Sequence, residues 1–68
     1  MEFKINDIFY VSETDLNRMA ELCVNANFTI HDAMTGIACE WDDADFYIFG
    51  LVEDEVAEEV ARRIKLYE

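Results

Sequence analysis

The sequence predicts an α+β fold: a small, mainly antiparallel sheet of three to four strands with two helices on one face, in the order β-α-β-β-β-α. Three observations carry this. The first residues alternate in polarity with the period of a strand. The middle of the chain, Phe28 to Val52, is rich in aromatic and β-branched residues. Two further segments have apolar residues at helical spacing. With 68 residues, no Pro, two Gly and no repeat, nothing marks an internal boundary, so residues 1–68 are expected to form a single compact domain. A chain of this size buries only about 60% of the surface its unfolded form exposes. The apolar fraction of 53% and the nine aromatic residues nevertheless set it apart from acidic disordered chains.

In residues 2–11, Phe3 and Ile5 alternate with Glu2 and Lys4, which reads as a half-buried strand; the continuous run Ile8 to Val11 after Asn6-Asp7 suggests a bulge, or a strand covered on both faces near its end. Ser12 reads as a helix N-cap, with Asp15 three residues on in a variant of the capping box. The helix that follows sets Leu16, Met19, Ala20, Cys23 and Val24 on one stripe. Asn25 to Asn27 ends it, because Asn tolerates the left-handed conformation. Phe28 and Ile30 then read as a strand, Asp32 to Gly36 as a turn, and Ile37, Cys39 and Trp41 as a second alternating strand. Asp42 to Asp45 is expected to be a hairpin tip. Phe46 to Val52, a nearly continuous apolar run, reads as the central strand. It puts Phe46, Ile48 and Val52 on one face and Tyr47, Phe49 and Leu51 on the other.

Glu53 to about Tyr67 is the second helix, with Val56, Ala57, Val60, Ala61, Ile64 and Tyr67 at core spacing. Its acidic residues lie toward the N-terminal end and its basic ones toward the C-terminal end, as the helix dipole favours. Glu58/Arg62 and Glu59/Arg63 stand at i,i+4.

Charge is the most informative bulk property. The net charge is −11, with 16 Asp and Glu against five Lys and Arg. This argues against direct contact with DNA or RNA, which needs clustered cations, and against binding to an anionic membrane surface. No run of about 20 apolar residues is present to cross a bilayer, and the N-terminal MEFKIND lacks the pattern of a signal peptide, so a cytoplasmic address is expected. Cys23 and Cys39 are expected to be buried free thiols, since a secreted domain this short usually carries several disulfides.

No catalytic or metal motif survives inspection, and no cofactor is expected. An EF-hand reading from Asp43 puts Ile48 where Gly is required. Cys23, Cys39 and His31 are too few for a structural zinc site. His31 and Asp32, adjacent on a predicted strand, would point to opposite faces. The chain is therefore expected to be a non-enzymatic binding protein. Between Arg18 and Arg62 there is no Lys or Arg, and nine carboxylates fall in two groups, Glu40, Asp42, Asp43 and Asp45, then Glu53, Asp54, Glu55, Glu58 and Glu59. On the expected fold these groups bracket the central strand and meet at one edge. Trp41 and Tyr47 are the candidate apolar anchors beside them.

In its size and its 16 carboxylates the chain resembles the small acidic inhibitors encoded by phages and mobile elements, including anti-CRISPR and other DNA-mimic proteins. That resemblance implies an inhibitor that docks on a basic nucleic-acid-binding protein or ribonucleoprotein complex, in the host cytoplasm if the chain is phage-encoded. The two groups of carboxylates would then stand in for nucleic-acid phosphates. The alternative is a structural or regulatory module that forms a homodimer through an open sheet face, its acidic face serving solubility.

Overall fold

Three segments of the chain begin in the same way. The side-chain oxygens of Ser12, Thr29 and Asp42 accept hydrogen bonds, each 3.1 Å long, from the backbone N–H groups of Asp15, Asp32 and Asp45. Each cap satisfies a donor that the helix cannot pair internally and sets an acidic residue in the first turn, where the dipole favours it. Three helices follow from these caps: α1 (Glu13–Asn25), α2 (Ile30–Ala38) and α3 (Asp43–Tyr67). The structure, a computed structural model, describes residues 3–4 and 10–68. Its β-structure among those residues is one antiparallel pair of two-residue strands, β1 (Phe3–Lys4) and β2 (Tyr10–Val11), in the register Phe3 with Val11 and Lys4 with Tyr10.

The expected α+β sheet is thus corrected to a mainly helical fold. The single strand expected over residues 2–11 is replaced by this short pair, and the bulge expected at Asn6-Asp7 lies outside the described residues. The strand at Phe28, the turn at Asp32 to Gly36 and most of the strand at Ile37 to Trp41 are replaced by α2 and its cap. Ala33, Met34, Ile37 and Ala38 are all buried, a helical period that alternation does not produce. The hairpin tip at Asp42 to Asp45 is the start of α3. The expected central strand, Phe46 to Val52, is the first half of α3, which runs without interruption into the C-terminal helix expected from Glu53.

The first helix is as expected. Leu16, Met19 and Ala20 are buried and Cys23 and Val24 half-buried, and Asn27 at φ 59° turns the chain after α1. Val11, Leu16 and Met19 meet Ala33, Met34 and Ile37 of α2 and Phe49, Val56 and Val60 of α3 in one core. Full burial of such a side chain contributes about 1.5–3 kcal/mol. Trp41, half-buried between α2 and α3, stands edge-to-face on Phe49 with ring centroids 5.1 Å apart. At the far end of α3, Arg63 is 13% exposed and ties two helices together. It donates from Nε to Glu59 Oε1 at 3.1 Å and from Nη1 to Asn17 Oδ1 of α1 at 2.8 Å. Cys23 is half-buried, which raises its thiol pKa. Cys39 is exposed, which corrects the expectation of two buried thiols, and both are free.

Candidate functional site: the outward face of α3

Because α3 is one helix, the two acidic groups are joined by backbone, not brought together at a sheet edge. Four of the nine carboxylates are occupied within the fold. Glu40 lies 2.7 Å from Arg18 Nη1, and its Oε1 accepts a further bond from Nη2 at 3.1 Å. That guanidinium holds the Glu40 carboxyl below the usual carboxylate range. Asp42 caps α3, and the backbone of Asp45 receives that cap. Glu53 lies 3.0 Å from His31 Nδ1 of α2. Glu59 accepts from Arg62 at 2.7 and 3.0 Å and from Arg63, and these bonds, the Arg62 contact first, lower its pKa. Arg62 therefore pairs with Glu59, not with Glu58 as the i,i+4 spacing suggested.

Of the other five, Asp45 is half-buried, and Asp43, Asp54, Glu55 and Glu58 are exposed; no ion pair joins these four to another described residue. Helical geometry brings them together. Asp43, Tyr47, Leu51, Asp54 and Glu58 stand at i, i+4, i+8, i+11 and i+15, one stripe along the outward side of α3 about 22 Å long, with Glu55 beside it. Tyr47 is 78% and Leu51 79% exposed. Of the two expected anchors, then, Tyr47 lies on this stripe, whereas Trp41 belongs to the core. Read as a strand, the segment does not single out Leu51 as an anchor, nor Phe46, which is 45% exposed beside the stripe. The spacing Tyr47, Leu51, Asp54 becomes visible only once the segment is read at helical period.

Two features of this face run against the stability of the helix. Like charges at i,i+3 and i,i+4, here Glu55/Glu58 and Asp54/Glu58, destabilise a helix by about 0.2–0.5 kcal/mol each. Gly50, in the interior of α3, costs about 1 kcal/mol relative to alanine. A Cβ built there meets nothing within 4 Å, and its φ is not positive, so neither packing nor backbone conformation requires glycine.

Elsewhere, a groove of about 280 Å³ lies between the end of α1 and α2, lined by Arg18, Glu21, Leu22, Asn25, Ala26 and Ile37. Its cation, Arg18, is taken up by Glu40 at 2.7 Å and Asp15 at 3.7 Å, so the groove has little to offer an anion. Among the described residues no group of three or more His, Cys, Asp or Glu is placed to hold a metal ion, and no helix is long and apolar enough to cross a membrane. Comparison with protein-family models, curated proteins and solved structures finds no match to this chain.

Proposed function

We propose that the chain is a non-catalytic binding protein of the cytoplasm, a host cytoplasm if it is phage-encoded, that docks on a basic nucleic-acid-binding protein or complex. By occupying the cations that hold nucleic-acid phosphates, it blocks DNA or RNA binding there. The observation that carries this reading is the outward stripe of α3, where four exposed carboxylates without an ion partner among the described residues flank two exposed apolar side chains. Complementary potentials speed such an encounter and select the partner, and the apolar pair supplies the anchors.

The test is capture from a bacterial lysate on the tagged chain at about 100 mM salt, where surface charge is only partly screened, followed by elution with salt and separately with DNA or RNA. Recovery of one basic nucleic-acid-binding protein, released by both, supports the reading. Partners that resist both eluants refute it.

Tyr47 and Leu51 also favour a second reading, self-association through this face into a structural or regulatory homodimer. A dimer by mass at micromolar concentration, lost on Leu51→Lys, distinguishes that reading from the first.

A further inference from the structure

Resting on the reading of a basic partner, we propose that Tyr47, Gly50, Leu51 and Asp54 form a socket for one arginine side chain, presented by a helix of that partner. The four residues stand at i, i+3, i+4 and i+7, the diamond into which a facing helix seats a single side chain. Gly50 forms the floor at backbone level, with open space above it. Tyr47 and Leu51, 78% and 79% exposed, form two walls. Asp54 supplies an exposed carboxylate at the fourth corner.

Glycine is the residue this arrangement needs and the helix does not. Gly36 of α2 has equally open space above it, but its neighbours Ala33 and Ile37 are buried, so it has no walls and makes no socket.

The chemistry of the walls specifies the occupant. A long side chain with an apolar stem and a planar cationic head lays its methylenes over Gly50 and against Leu51. The Tyr47 ring covers the stem at one end of the diamond, and the guanidinium donates to Asp54 at the other, about 10 Å along the helix. Lysine supplies the charge without the fork. An apolar side chain would bury Asp54 without a partner.

A second copy of this chain fits poorly. Arg62, on the same helix, is already bonded to Glu59 at 2.7 Å. An antiparallel pairing that sets Arg62 over the Gly50 of another copy also sets Asp54 of each copy against Glu58 of the other, so four carboxylates meet at the centre.

The test uses three synthetic basic helical peptides, identical but for Arg, Lys or Gln at the central position. Each is titrated into the ¹⁵N-labelled chain and followed by NMR at the only two glycine amides, Gly50 at the socket and Gly36 as internal control. The Arg peptide is expected to shift Gly50 and not Gly36, and to bind about fivefold more tightly than the Gln peptide. Asp54→Asn is expected to reduce that preference to less than about twofold. Gly50→Ala is expected to melt about 5 °C higher than the native chain while binding the Arg peptide several-fold more weakly, so that stability and binding move in opposite directions.

An unmoved Gly50 amide, equal affinities for the Arg and Gln peptides, or undiminished binding by Gly50→Ala each overturns the socket. Equal affinities do so while leaving the basic-partner reading intact, which falls only if the lysate capture fails. A doubling of mass accompanied by a concentration-dependent Gly50 shift without peptide assigns the face to a second copy and overturns the proposal as well.

Discussion

Along α3, Phe49, Val56 and Val60 face inward and are at most 6% exposed, whereas Tyr47 and Leu51, each two positions from Phe49, are close to four-fifths exposed. Both faces carry large apolar side chains. On the inward face they meet Val11, Leu16 and Met34, and their removal from water holds three helices together. On the outward face they meet solvent and a row of carboxylates that repel one another. The inward face is therefore constrained by folding. The outward face, with Gly50 and its like charges, runs against helix stability and is free to serve recognition.

The largest expected effect is a direct break of this contrast. Phe49→Ala removes a buried ring and the support of Trp41 and is expected to cost about 3–5 kcal/mol, most of the stability of a chain this small. Tyr47→Ala, two residues earlier, is expected to change stability by less than about 0.5 kcal/mol. Thermal unfolding followed by circular dichroism measures both, and equal losses would dissolve the distinction between the faces.

Next in size is Asp42→Ala, which removes the cap of α3 and is expected to cost about 1 kcal/mol in urea unfolding. Loss of the cap is also expected to speed amide exchange in the first turns of α3 and to leave α1 unchanged.

Smaller again is the pH dependence of the Glu59 pairs within α3, one of which holds Arg63 for its bond to Asn17 of α1. The folded pKa of Glu59 is lowered by Arg62 and Arg63, so the unfolded chain binds its proton more readily than the folded one. The stability this contributes is complete above the ordinary carboxylate range and is lost as pH falls through the lowered value. Glu59→Gln is expected to flatten that acid limb and to cost about 0.5–1 kcal/mol at neutral pH, read from melting curves between pH 7 and acid.

The smallest effect has the opposite sign. Glu58→Gln removes the like-charge pairs with Asp54 and Glu55 without setting a cation against Arg62, and is expected to stabilise the fold by about 0.5 kcal/mol, while weakening the proposed docking. A chemical-denaturation midpoint that falls would show that the acidic stripe supports the fold.

What was legible in the sequence divides along the same line. Ser12-x-x-Asp15 reads as a helix start because helical periodicity follows at once. Thr29-x-x-Asp32 and Asp42-x-x-Asp45 have the same spacing, but the aromatic and β-branched composition around them reads as strand, and composition is a weak guide once tertiary packing is at stake. Phe46 to Val52 is apolar at nearly every position, and such a run carries no period of its own. Its length in the structure comes from joining α3, whose later part, Val56, Val60 and Ile64, was clear.

The site suffered the same ambiguity. The acidic residues and Tyr47 were recognisable as residue types, but a period of two placed Tyr47, Phe49 and Leu51 on one face. A period of 3.6 turns Phe49 into the core and leaves Tyr47 and Leu51 beside Asp54. Pairings such as Arg18 with Glu40, 22 positions apart, depend on the packing of α1 against the end of α2 and leave no mark in the sequence.

The most direct test of the outward face as the recognition surface compares the native chain with a variant carrying Asp43→Lys, Asp54→Lys and Glu58→Lys. Each is titrated against the captured partner over a range of salt concentrations, with helicity checked by circular dichroism. The account predicts that the native affinity falls steeply as salt rises, and that the variant stays folded and loses binding by at least about a hundredfold, as three desolvated charge contacts require. An equally helical variant that binds as the native chain does, with the same salt dependence, would contradict it.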